Sequence, residues 1–186
     1  MDTAHFSPYL LHLGLEAGLN ISNIIYSHSS YFKGTLTGLN AGITIDIPVE
    51  FAFSFYAAVV YSQKGYNLAT TYGNYAQRLN FIDVPVLLKK ACGHGNFNFI
   101  IGPQLSFLAS SKKPVFDNEF KGNQGDYGYA GGSVIIVGVI GESLNITRFM
   151  DIHARYTIDI GRTRTNTVIP AYHNQAIQVG FGFRFN

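Results

Sequence analysis

The chain has 186 residues, which permits one domain spanning 1–186. Charged residues make up only 13%, against roughly a quarter in an ordinary soluble domain, and Gly is abundant at 20 residues. A formal net charge of +2 and the lack of a basic stripe interleaved with aromatics exclude nucleic acid as an expected partner. One cysteine, Cys92, rules out an internal disulfide framework.

Strand-like alternation begins at Leu10 to Asn20. Leu11, Leu13, Leu15, Ala17 and Leu19 share one face, and His12, Gly14, Glu16, Gly18 and Asn20 the other. Thr37 to Ile47 repeats it, with Leu39, Ala41, Ile43, Ile45 and Ile47 opposing Gly38, Asn40, Gly42, Thr44 and Asp46. A third segment, Glu50 to Lys64, sets Phe51, Phe53, Phe55, Ala57, Val59 and Tyr61 against Ala52, Ser54, Tyr56, Ala58, Val60, Ser62 and Lys64. In Arg78 to Lys90, Ile82, Val84, Val86 and Leu88 oppose Phe81, Asp83, Pro85, Leu87 and Lys89. Asn96 to Ala109 alternates Phe97, Phe99, Ile101, Leu105 and Phe107 with Asn98, Gly102, Gln104 and Ser106. Tyr127 to Gly141 is the sixth segment, and alternation assigns no faces to it. Arg148 to Ile160 opposes Met150, Ile152, Ala154, Tyr156 and Ile158 to Asp151, His153, Arg155, Thr157 and Asp159. Ala176 to Asn186 closes the series, with Ile177, Val179, Phe181, Phe183 and Phe185 against Gln178, Gly180, Gly182 and Arg184.

Short links are expected at Pro48-Val49, at residues 92–95 and at Glu142 to Asn145. Long polar links are expected at Ile21 to Leu36, Gln63 to Gln77, Ser110 to Asp126 and Gly161 to Gln175. Short turns on one side and long loops on the other, joining eight segments of near membrane-spanning length, predict an all-β, eight-stranded antiparallel up-and-down transmembrane barrel. A soluble barrel would turn the same alternation inside out, but its wet face would carry Lys, Glu and Thr. Here the polar face is rich in glycine, as a narrow interior demands. Phe51, Phe53, Phe97, Phe99, Phe183 and Phe185 fall near the short turns, and Tyr61 and Tyr156 nearer the long loops, as two interfacial girdles would. No apolar run reaches the length of a spanning helix. Met1 to Pro8 has neither a basic start nor an apolar stretch, so the chain is expected to be a mature outer-membrane protein behind an added start Met.

The inward face collects Glu16, Asp46, Lys64, Asp83, Lys89, Asp151, Arg155, Asp159 and Arg184. Buried charges are costly unless paired, so these are expected to form a structural network filling the lumen rather than an ion path. His12, His94 and His153 show no zinc-ligand spacing, so neither metal nor cofactor is expected. Ser27, His28, Ser29 and Ser30, with Asp159 or His173, could form a catalytic rim. They lack nucleophile–base spacing, and a non-enzymatic protein is expected. Loop residues Lys112, Lys113, Lys121, Arg162 and Arg164 could contact lipopolysaccharide phosphates. The expected partners are therefore outer-membrane lipids, lipopolysaccharide and another envelope protein.

The stretches GLNAGITIDIPVEFAFSFYAAVVYSQKG and LNFIDVPVLLKK, with GPQLSFLAS and the closing GFGFRF, resemble the PorT-like outer-membrane β-barrel proteins of Bacteroidetes-type bacteria. Tyr61, Ser62, Gln63, Lys64 and Gly65 match one signature; Leu79, Asn80, Phe81, Asp83 and Pro85 match the other. The resemblance covers nearly the whole chain and departs from the family pattern in the apolar GGSVIIVGV segment and at the terminal Asn186. It implies a Gram-negative outer-membrane barrel. It adds an alternative to a scaffold or binding protein presenting four extracellular loops, namely an accessory subunit of a secretion or uptake complex. An outer-membrane rim enzyme acting on lipids or peptides is the remaining alternative.

Overall fold

The computed structural model describes residues 11–26, 32–50, 52–70, 73–92, 96–111, 115–116, 134–160 and 172–185. Eight long strands make a closed antiparallel barrel: β1 (His12–Tyr26), β3 (Leu36–Glu50), β4 (Phe53–Thr70), β5 (Gly73–Cys92), β6 (Phe97–Ser111), β8 (Val134–Asn145), β9 (Met150–Asp159) and β10 (Tyr172–Phe185). Two short strands, β2 (Phe32–Gly34) and β7 (Val115–Phe116), complete the set. The order is β4-β3-β1-β10-β9-β8-β6-β5, and β5 pairs back onto β4, so the wall has no edge. Closure satisfies backbone donors and acceptors within the wall, which a bilayer requires.

The apolar face points outward. Leu13, Leu15, Leu39, Ile43, Phe55, Ile101, Ile140, Ile177 and Phe181 are all exposed, while Glu16, Asn20, Asp46, Ser62, Asp83 and Arg155 are buried. In water such a surface would drive aggregation; in hydrocarbon it is the solvated state. On β5 the exposed cations Arg78 and Lys90 bracket Ile82, Val84, Val86 and Leu88. At a usual strand tilt the distance between them covers roughly 30 Å along the membrane normal, close to a hydrocarbon core plus its margins. The start of β1 at His12 and the end of β10 at Phe185 lie with the short turns, the periplasmic side in barrels of this architecture.

Several boundaries differ from those the alternation predicts. Pro48 and Val49 belong to β3, where Pro48 pairs with Ser54 and the register shifts before Glu50. A proline without an N–H is tolerated at such an irregularity, so the strand continues to Glu50 and the turn is at Ala52. Glu142 to Asn145 are likewise strand, paired through Asn145 with Asp151. The turn is residues 146–149 instead, closed by the Thr147 hydroxyl, which accepts from the backbone N–H groups of Phe149 and Met150. The link expected at 63–77 is mostly strand: β4 continues to Thr70 and β5 begins at Gly73, in register throughout. Beyond Ser62, β4 leaves β3, and β2 takes its place through Phe32↔Ala69 to Gly34↔Asn67. Beyond Leu79, β5 leaves β6, and β7 joins at Tyr75 and Ala76. The result is a four-stranded sheet, β2-β4-β5-β7, standing above the barrel on the loop side.

The sixth segment is resolved into β8. Ile135, Val137 and Val139 point inward, and Val134, Ile136 and Ile140 outward. Both faces are apolar, so the period-2 signal cancels. The interior is correspondingly two-sided. Toward β4, β5, β6 and β8 it carries Tyr56, Ala58, Val60, Leu87, Ile100 and Val139 in one cluster and Leu79, Phe81, Ile135 and Val137 in another. Toward β3, β1 and β10 it carries glycines and charged groups.

Candidate functional site in the barrel lumen

The charges of the lumen are accommodated because their neighbours across the ladder are small. Glu16 on β1 lies between Gly42 on β3 and Gly182 on β10. His153 lies opposite Gly180, and Arg155 opposite Gly141. These glycines do not simply leave space for an absent methyl. A Cβ on Gly42 would stand 2.4 Å from the Val59 carbonyl oxygen, and one on Gly141 2.3 Å from that of Ala154. The wall is curved too tightly there for any side chain, and the charged groups use the room that the curvature leaves in the middle.

The central group is Glu16, Arg155 and Tyr56, drawn from β1, β9 and β4. Arg155 donates from Nη1 to Glu16 Oε1 at 3.3 Å and from Nη2 to Oε2 at 2.9 Å, a two-pronged carboxylate contact. The Tyr56 hydroxyl donates to Glu16 Oε2 and accepts from Arg155 Nη2 at 3.0 Å. The guanidinium also stacks 4.8 Å from the centre of the Tyr56 ring. On the periplasmic side, His153 lies 4.0 Å from Glu16 and 3.5 Å from Asp151. Arg184 reaches Asp151 at 3.8 Å and donates to the Asn145 side-chain carbonyl. Lys89 pairs with Asp46 at 3.1 Å.

A second polar group lies toward the loops. Lys64 Nζ is 2.7 Å from Asp83, which also accepts from the Ser106 hydroxyl at 2.6 Å; Gln104 in turn donates to Ser106. Lys64 and Asp83 belong to the YSQKG and FIDVP stretches, so the two signature motifs are tied together across β4 and β5. Asn20 donates to Ser62 and accepts from Asn40. Asp159 takes the side-chain and backbone N–H groups of Asn174, with no lysine or arginine in ion-pair contact among the described residues, and its carbonyl lies 2.9 Å from His173 Nδ1.

The nine inward charges thus sort into Glu16 with Arg155, Asp46 with Lys89, Lys64 with Asp83, and Asp151 with His153 and Arg184, with Asp159 held by an amide. Tyr56, Ser106 and Asn174, which complete these groups, were not singled out as site residues from the sequence. Tyr56 shares strand parity with Lys64, and that was the available signal. His12, half-buried, pairs in register with Asp46 at the start of β1. His94, Ser27, His28, Ser29 and Ser30 lie outside the described residues, as do Lys112, Lys113, Lys121, Arg162 and Arg164. Among the described residues no cluster of three metal-ligating side chains occurs.

The lumen keeps a cavity of about 20 Å³ bordered by Glu16, Asp46, Lys89, Asp151 and Arg184. That is the room of about one water molecule. Ile100 lines it as well, and Leu87 of the same apolar cluster is fully buried. Planar-bilayer recordings of the refolded protein should accordingly show no steady conductance, and a stable open channel would overturn the filled-lumen reading.

The fold recurs in bacterial surface barrels. The structure of Neisserial surface protein A is 14% identical, with a TM-score of 0.57 over 93% of this chain and 97% of that one. Ail, the attachment invasion locus protein of Yersinia pestis, is 9% identical with a TM-score of 0.52, covering 94% of this chain and 98% of its own. Curated proteins give no match. The sequence model for the outer membrane protein beta-barrel domain matches residues 7–185. The closed wall and the outward apolar face are in keeping with that match, and the chain belongs to this family of integral outer-membrane barrels.

Proposed function

We propose that the protein is a non-enzymatic scaffold of the PorT-like, Bacteroidetes type, whose closed barrel anchors binding elements on the cell exterior. The observation that carries this reading is the β2-β4-β5-β7 sheet. The β4–β5 hairpin is far longer than the roughly 9–11 residues needed to cross a membrane. It continues in register to the Thr70–Gly73 closure and gains a strand on each side. A rigid raised sheet fixes the position of whatever the adjoining loops contact. Lipopolysaccharide phosphates around Lys112, Lys113, Lys121, Arg162 and Arg164 are the proposed lipid contacts.

An accessory role in a secretion or uptake complex is the second reading, and it rests on the resemblance of the YSQKG and FIDVP stretches to the PorT-like family. The scaffold reading is met by lipopolysaccharide or by a protein on the raised sheet, whereas the accessory reading requires a partner protein. Affinity purification from native membranes should recover one in stoichiometric amount. Replacing residues 66–77 by an Asn-Gly turn, which joins the paired Gly65 and Arg78, should leave insertion intact and abolish recovery. Recovery of lipopolysaccharide without a protein would refute the accessory reading, and recovery of neither would refute the scaffold.

A further inference from the structure

The outer wall at the periplasmic end of β5, β6 and β8 departs from the apolar pattern in one row. Lys90 pairs with Phe99, and Phe99 with Glu142. All three are exposed on the lipid-facing side. Among the described side chains, Glu142 is the outward-facing carboxylate of the strands; the others point into the lumen. It forms no ion pair among the described residues, nor does Lys90, whose Nζ rests 5.6 Å over the Phe53 ring on the neighbouring β4. At the depth of the headgroups a carboxylate on the outer wall is tolerated, and with no ion-pair partner among the described residues it is open to a headgroup donor.

The next outward row, one step toward the bilayer centre, is Leu88, Ile101 and Ile140. All three are exposed and apolar. Two tiers are therefore stacked along the membrane normal: an aliphatic track, and below it a cation and a carboxylate two strand spacings apart, roughly 10 Å, with an exposed aromatic ring between them. A phospholipid has the same order of parts. Its acyl chains end at a phosphate, and in an aminophospholipid a primary ammonium follows.

We propose that this patch is a binding site for an inner-leaflet aminophospholipid of the phosphatidylethanolamine type. Lys90 takes the phosphate, Glu142 accepts hydrogen bonds from the ammonium, and the chains lie along Leu88, Ile101 and Ile140. Glu142 sets the selectivity. It repels a headgroup with net negative charge, and it gains no N–H donor from a quaternary choline.

The test is native mass spectrometry of the full chain, refolded in detergent and titrated with phosphatidylethanolamine, phosphatidylcholine and phosphatidylglycerol of matched chain length. Phosphatidylethanolamine should be retained about five- to tenfold better than either of the others, the scale of one charge-assisted hydrogen bond in a partly wet site. Glu142→Gln should remove the preference over phosphatidylglycerol, and Lys90→Gln should weaken retention of all three. Neither change touches the lumen or the ladder, and heat-dependent gel mobility verifies folding of both. Equal retention of the three lipids by the unaltered chain would mean unselective annular lipid and would overturn the site. A preference that survives Glu142→Gln would overturn it as well.

Discussion

Arg155→Ala is expected to destabilise the folded barrel by about 3–5 kcal/mol, the largest effect of any single lumen substitution, because it removes one partner of a buried ion pair and leaves the other. Arg155 is buried and meets both oxygens of Glu16, whose own ladder neighbours are glycines and offer it nothing. His153 Nε2 stands 4.0 Å from Glu16, beyond hydrogen-bond distance. Without the guanidinium the carboxylate keeps only the Tyr56 hydroxyl as a strong donor. The measurement is urea unfolding in lipid vesicles, followed by tyrosine emission or gel mobility. Two controls separate charge from packing. Arg155→Lys keeps a cation without the two-pronged contact and should recover part of the loss. Arg184→Ala should cost less, since Arg184 is only partly buried and stands 3.8 Å from Asp151. An unchanged unfolding midpoint for Arg155→Ala would show that Glu16 is stabilised without it, and the structural network would lose its central element.

How far such a network can be read without coordinates depends on which physical rule is in play. Parity is local, so strands with glycine and charge on one side and leucine or isoleucine on the other declare their inward face: β1, β3, β9 and β10 do so along their whole membrane-crossing length. The same rule is silent for β8, where Ile135 and Val137 fill an apolar half of the lumen while Val134 and Ile136 face lipid. The partners of the inward charges are a matter of barrel closure, not of parity. Glu16 and Arg155 are separated by 139 residues and meet because β1 and β9 both flank β10 with a fixed stagger. Asp159 has inward parity like Asp151, yet its stagger sets it beside Asn174, so among the described residues it receives amide donors. The short strands β2 and β7 have no signal of their own. They exist because β4 and β5 run past their membrane neighbours and leave backbone groups to be paired.

Ile43→Arg tests the direction in which the whole wall faces. Ile43 is 61% exposed and sits midway along β3, flanked by Leu15 on β1 and Val59 on β4, both also exposed. An arginine there would face water at little cost in a soluble barrel. At the middle of a bilayer it should cost about 2–4 kcal/mol. The same substitution at Val49, outward on the same strand and near the periplasmic turn, should cost about 0–1 kcal/mol, because the side chain reaches the headgroup region. Neither residue contributes a side chain to the lumen, so the difference isolates depth in the hydrocarbon from disruption of the interior. Reversible unfolding of the two variants in vesicles of defined thickness gives both numbers in one experiment. Thinner bilayers should shrink the penalty at position 43 and leave position 49 unaffected. Equal costs at the two positions would mean that the exposed leucines, isoleucines and phenylalanines do not meet hydrocarbon. The pairing of a glycine-lined, charge-filled lumen with an apolar exterior would then need another explanation.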